Sequence, residues 1–205
     1  MREDPRFVRS RTLLTGTLHR LVRTVPLAEI SVSALCQEAG VHRTTFYRHA
    51  GSVRELAITT FAADVGELTT VTIAPDAESP HEAARRYRDS LRDVLTFVAA
   101  DRGLYRALFG SDAHDSLAGA LGAVMRPQAR KAVQVFRRQG VAGAPTSDHA
   151  GEEAAAFIAG AFVGVLEAWV DSQETDAEAA ADRISTLMPG WWPNPRAGRP
   201  TNLGR

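Results

Sequence analysis

The chain holds a single cysteine, Cys36, so an intramolecular disulfide is excluded and a reducing compartment is the natural setting. It also lacks net charge: 24 basic residues balance 24 acidic ones, which excludes a general polyanion binder that works by excess charge alone. Long apolar runs are missing. The longest, residues 154–166, covers 13 positions between Glu153 and Glu167, whereas a helix needs about 20 to span a bilayer. The first twenty residues carry arginines throughout and have no apolar h-region, so no secretory signal is read there. A cytoplasmic protein without a membrane partner is expected. No stretch alternates as a strand does and no internal repeat appears, which leaves an all-α chain. His81, His114 and His149 are scattered over loops and caps, with no HExxH, no glutamate-x-x-histidine pair on a long helix and no cysteine partner. A glycine-rich phosphate loop and a Gly-x-Ser-x-Gly elbow are also absent. An enzyme is therefore not expected, nor a cofactor or metal.

What is present starts with enough material for a core, since 44% of the residues are hydrophobic. Charge is unevenly placed. Residues 1–56 hold nine arginines against five acids, while 57–195 hold twelve basic against nineteen acidic residues, so a basic amino-terminal lobe sits on an acidic body. The most informative stretch is 31–56, SVSALCQEAGVHRTTFYRHAGSVREL. Ser31 reads as an N-cap, because its hydroxyl can accept from a free first-turn amide. Val32, Leu35, Cys36 and Ala39 then share one apolar helical face, and Gly40 stands where a helix closes in the left-handed conformation. Cys36 on that face is a small core residue or, on a sharper reading, a redox-sensing thiol. His42 opens a second short helix in which Phe46 and Ala50 face inward and Thr44, Thr45 and Arg48 face out. Ser52 and Glu55 form a capping box that starts a third helix. Two short helices joined by a glycine turn make a helix-turn-helix, whose second helix fits a DNA major groove.

The run Gly40-Val41-His42-Arg43-Thr44-Thr45-Phe46-Tyr47-Arg48-His49-Ala50 resembles the DNA-binding signature of TetR/AcrR-type transcriptional regulators, whose pattern continues T-x-Y-R-H-F. The close resemblance covers about a quarter of the chain. It implies a fold of two parts: an N-terminal three-helix helix-turn-helix domain (1–51), and a larger helical ligand-binding and dimerisation domain (52–190). A tail over 191–205 is expected to have no regular structure. By the same resemblance Thr44 and Thr45 would reach base edges, Tyr47 and His49 would hold phosphates, and Arg43 and Arg48 would serve either role. In an isolated helix, Tyr47 and His49 could equally be plain surface residues. Three positions depart from the pattern: Ala50 replaces the usual phenylalanine, Gly51 a common proline, and Val53 a lysine that often contacts phosphate. The first is expected to loosen packing. The last would shift backbone contacts to Arg54 or to the arginine-rich residues 1–10, read as a mobile arm along DNA or a solvated tail.

In chain order, 11–23 is read as the first helix, with Leu13, Leu14, Leu18, Leu21 and Val22 as its stripe, ended by Pro26. Leu27 and Ile30 are expected to pack beneath the helix-turn-helix. Residues 52–72 form a longer helix, with Val53, Leu56, Ala57, Phe61, Val65 and Leu68 inward, linking the two domains. Ser79-Pro80-His81-Glu82 opens another helix through a capping box with proline in its first turn. A short helix over 101–109 follows, then one over 116–138 that Pro127 should kink or split. Asp148 is expected to cap a helix reaching residue 170, and Thr175 to Glu178 to form a third capping box.

The resemblance places a ligand pocket among the middle helices. Tyr87, Phe97 and Met125 are available there beside Tyr105, Phe109, Phe136 and Trp169, the four taken as ligand-binding candidates; aromatics at helical spacing are also ordinary core. The last two long helices would form a dimer interface, with Phe162, Trp169 and Ile184 as candidates, although an intramolecular core explains them too. The expected partners are a double-stranded DNA operator, a small-molecule ligand and a second copy of the chain. The expected function is a repressor released from a palindromic operator by a small, apolar or aromatic ligand. The same fold regulated by a protein partner, or by no ligand, is the alternative.

Overall fold

A computed structural model describes residues 4–110 and 116–195 of the chain. Among them are nine α-helices and no strand. Contacts group the chain into two units, one from 1–64 with 103–120 and the other from 65–102 with 121–205. The first unit takes in more than the 1–51 read from the sequence.

Helix α1 (Pro5–Leu21) starts earlier than periodicity suggests, because the Asp4 carboxylate accepts from the Arg6 amide at 2.9 Å and Pro5 presets the first turn. Residues 5–10 are thus helical rather than a mobile arm; residues 1–3 of that expectation lie outside the described residues. Leu14, Thr17 and Leu18 are buried, whereas Leu13, assigned to the stripe, is exposed. A 3-10 turn (Leu27–Glu29) leads to buried Ile30. Helix α2 (Val32–Ala39) has the expected cap: Ser31 Oγ accepts from the Ala34 amide at 3.1 Å. It buries Leu35, Cys36 and Ala39 and ends at Gly40, whose φ of +64° is cheap only for glycine.

Helix α3 is short, Arg43–Phe46, and then tightens into a turn in which the Arg48 amide reaches Thr45 O and the His49 amide reaches Phe46 O. The next helix begins at once. Ser52 Oγ accepts from the Glu55 amide at 3.0 Å, but Glu55 Oε2 accepts from the Gly51 amide at 2.6 Å rather than from Ser52. The cap of the next helix therefore satisfies the Gly51 amide, which lies beyond the end of α3.

Helix α4 (Val53–Leu68) buries more than the expected stripe, adding Ile58, Thr60 and Ala62 to Val53, Leu56, Ala57, Phe61 and Val65, while Leu68 is exposed. Its partner in the first unit is α6 (Arg102–Phe109), which buries Leu104, Tyr105, Leu108 and Phe109. Phe61 meets Tyr105 edge-on at 5.8 Å, and Arg54 Nη2 donates to the terminal carbonyls of Ala107 and Leu108 at 3.0 and 3.2 Å. These contacts explain why α6 and the first part of α4 join the amino-terminal helices.

In the second unit, α5 (Pro80–Ala99) has the complete Ser79–Glu82 capping box. Helix α7 (Leu117–Arg138) runs unbroken through Pro127. Pro127 and Ala123, whose carbonyl loses its partner, are both exposed, so water can take the missing bond and the helix is not split. Helix α8 (Asp148–Asp171) is capped by Ser147, not Asp148, which pairs with Arg137 at 2.8 Å. Helix α9 (Ala177–Ser185) is capped by Asp176 through the Ala179 amide at 2.9 Å. With Asp176 as the cap, Glu178 stands at the second helical position and not the third, so no capping box forms; its carboxylate pairs with Arg88 of α5, which also holds Asp182 at 2.9 Å. Arg102 donates to the Trp169, Ser172 and Glu174 carbonyls with its guanidinium 4.5 Å from the Trp169 ring, closing the C-terminal end of α8. Trp191 and Trp192, placed by the sequence in an unstructured tail, pack on Phe136 at 6.3 and 4.6 Å; residues 196–205 of that tail lie outside the described residues.

Candidate functional site

Around α3, Arg43, Thr44, Tyr47 and Arg48 are exposed, with Tyr47 52% accessible despite its aromatic ring. Thr45 and His49 are half-buried, and Phe46 and Ala50 are buried beneath them. The six sequence-derived DNA candidates thus lie on one short segment, with Phe46 as its anchor.

His49 differs in kind from the rest. Its ring lies 4.1 Å from the Phe7 ring, its Nε2 is 2.8 Å from Ser10 Oγ, and its Nδ1 is enclosed without a partner. Burial lowers its pKa below the ordinary imidazole value, and the nearby Arg11 and Arg48 lower it further. It therefore stands as a neutral anchor that holds the first turns of α1 beside α3. Arg48 lies over Phe7 at 5.9 Å. Phe7 and Ser10 are the site residues that the sequence reading missed; the Asp4-Pro5 start signal could have revealed that they are helical. Arg6, Arg9 and Arg11 of the same helix are exposed, adding cations to this end. Val53, which stands where the pattern has a lysine, is buried, and Arg54 donates to the α6 carbonyls.

The second unit holds a pocket of about 130 Å³ between α5, α7, α8, α9 and the segment after α9, open to the surface beside the exposed Phe157 and Leu187. Tyr87, Leu91, Met125, Ala129, Phe162, Val165, Met188 and Trp192 are among its walls. The four ligand candidates lie elsewhere: Tyr105 and Phe109 are core residues of the first unit, while Phe136 and Trp169 are buried in the second without lining the cavity. Trp169 Nε1 is committed to Leu95 O at 3.1 Å. Of the dimer candidates, Phe162 and Ile184 are half-buried cavity-wall residues and Trp169 is buried. The polar groups at the cavity are turned to other partners. Arg88 is held by Asp182 and Glu178, Ser90 Oγ donates to Leu68 O at 2.8 Å, and Gln128 Nε2 donates to Thr70 Oγ1 at 3.1 Å. Tyr87 is pushed up to about 12 by burial, then by Glu78, and stays neutral. What this space can do is receive an uncharged apolar group.

Among the described residues, no group of three histidine, cysteine or acidic side chains could hold a metal. His81 donates from Nδ1 to Asn194 O at 3.0 Å and His149 lies 3.3 Å from Glu153; His114 falls outside the described residues. Cys36 is buried, which pushes its thiol pKa up. Helix α8 is long and apolar enough to cross a membrane by length and composition, with a mean hydropathy of 1.6 over its most apolar window. Charged residues bounded the shorter run counted in the sequence, but the wider window tolerates them.

No curated protein matches the chain. A family model described as the transcriptional regulator C-terminal region matches residues 86–190, about half of the chain. Solved structures with the same fold include a TetR transcriptional regulator from Rhodococcus sp. RHA1, 18% identical with a TM-score of 0.60, covering 91% of this chain and 97% of that one. RolR, solved without ligand, is 15% identical with a TM-score of 0.60 over 86% of this chain and 89% of its own. AlkX, a TetR-family repressor from Dietzia sp. strain DQ12-45-1b implicated in biodegradation of n-alkanes, is 16% identical with a TM-score of 0.55, over 92% and 97% of the two chains. With that model matching about half of the chain and a helix-turn-helix ahead of the match, the chain belongs to the TetR family of transcriptional regulators.

Proposed function

We propose that the protein is a cytoplasmic, non-enzymatic repressor that binds a palindromic operator as a homodimer and is released by a small, uncharged apolar or aromatic molecule. The observation that carries the DNA half is the exposed set Arg43, Thr44, Tyr47 and Arg48 on one turn behind Gly40, seated on buried Phe46. Threonines can read base edges, while the arginines and Tyr47 suit phosphates. One such head covers too few base pairs, and two copies reading half-sites a helical turn apart supply the specificity. The ligand half is supported by the cavity walled by Tyr87, Leu91, Met125 and Phe162, whose polar neighbours are occupied. An engineered apolar cavity of about 150 Å³ takes up benzene, so this space suits a molecule of that order.

The test is selection of bound sequences from a random DNA pool at physiological salt. A recovered palindrome supports a dimeric sequence-specific regulator, and recovery at background sinks that reading. Ligand release is checked separately by titrating neutral aromatics against the protein–operator complex. Because ligand and operator affinities are linked, an effective compound lowers operator affinity and operator lowers compound affinity by the same factor.

A further inference from the structure

Most of the pocket wall is helical, but Leu187, exposed at its open side, Met188 and Trp192 come from the segment that follows α9. Residues 189–195 form no helix, and Trp192 is held in place largely by side chains. Its ring lies 4.6 Å from Phe136 and 5.5 Å from Tyr87, and its amide donates to Pro189 O at 2.7 Å. Trp191 beside it packs into a seat that only glycine leaves open. Gly143 has a φ of +80°, and a Cβ there would lie 3.2 Å from Trp191 Cβ. Further along, Asn194 O accepts from His81 Nδ1 at 3.0 Å. The two tryptophans pack against both buried clusters of this unit, the α7–α8 cluster around Met125 and Ile158 and the α5–α7 cluster around Phe136. The segment is thus a strap laid between helices, with one indole forming part of the cavity surface.

We propose that this strap is the movable wall of the ligand cavity and that Trp192 is its selectivity residue, setting the size of the aromatic or apolar molecule admitted. The proposal rests on the ligand-responsive reading above. Its physical basis is that α5, α7 and α8 are fixed by backbone bonds along their length, whereas the strap is fixed by ring contacts and a few hydrogen bonds that can be exchanged. A bulky ligand gains room most cheaply where the wall is not helical.

The experiment titrates fluorobenzene and 1-fluoronaphthalene into the full-length protein, followed by fluorine NMR, for the wild type and for Trp192→Ala and Trp192→Phe. The wild type is expected to prefer fluorobenzene. Trp192→Ala should shift the affinity ratio towards 1-fluoronaphthalene by about tenfold or more, and Trp192→Phe by about threefold in the same direction. Should the alanine variant fail to fold by circular dichroism, the phenylalanine variant carries the comparison. Binding of both probes with an unchanged ratio in the folded variants overturns the role of Trp192 and leaves the ligand reading standing. Binding of neither probe by any form overturns the apolar-ligand reading and this proposal with it.

Discussion

His49, placed by the signature among the phosphate contacts, is packed against α1 in the structure. Its Nε2 faces Ser10, its ring faces Phe7, and its enclosed Nδ1 has no acceptor for a proton it would gain. With its pKa lowered in the fold, the unfolded chain binds the proton more readily. The neutral-His contribution is therefore present above the ordinary value of about 6.5 and is lost as pH falls below it towards the lowered folded value. We expect the His49 ring signals to titrate below that value by NMR, and His49→Gln to flatten the pH dependence of thermal unfolding in this range; a midpoint above it would sink the assignment. Arg54 gives a second residue-scale test. Because its guanidinium caps α6, Arg54→Ala should lower stability by about 1–2 kcal/mol while leaving the salt slope of operator binding unchanged. A phosphate contact would instead reduce that slope by about 1. Tyr47→Ala should weaken all DNA sequences alike, whereas Thr45→Ala should change preference among them. Equal losses across sequences for both would undo these roles.

At the scale of elements, the crossing of α4 and α7 depends on Gly66. A Cβ there would lie 2.3 Å from Val124 Cγ1, so Gly66→Ala should cost about 1–3 kcal/mol although alanine is the better helix former. Gly122→Ala, in α7 with nothing within 4 Å, should instead gain about 0.5–1 kcal/mol. Urea unfolding of the two variants side by side distinguishes close packing from propensity. Helix starts were legible where one side chain meets a nearby amide, as at Ser31 and Ser79. They were misread where two candidate caps competed. Ser147 took the role given to Asp148, which pairs with Arg137, and Asp176 took the role given to Thr175, which leaves Glu178 to pair with Arg88. In each case two adjacent polar residues could cap the same start, and spacing alone does not choose between them.

For the molecule as a whole, the division into units makes a prediction that the sequence boundary does not. The amino-terminal helices share a unit with α6, through Phe61 on Tyr105 and Arg54 on the α6 carbonyls. A fragment ending at residue 72 should therefore unfold at a lower temperature and less cooperatively than the same helices in the full chain, as read by circular dichroism. Matching transitions would show that α6 adds nothing to the reading head. The sequence by itself determined the helical class, the glycine turn, the two clear caps and the exposed residues of α3, because each follows from contacts within a few positions or from one helical face. Only the tertiary structure decided that His49 anchors α1, that Arg54 serves α6, that the aromatic candidates are mostly core, and that Trp192 walls the cavity. Those outcomes pair residues far apart in sequence, and burial and bond partners at such distances are settled by which helices pack together.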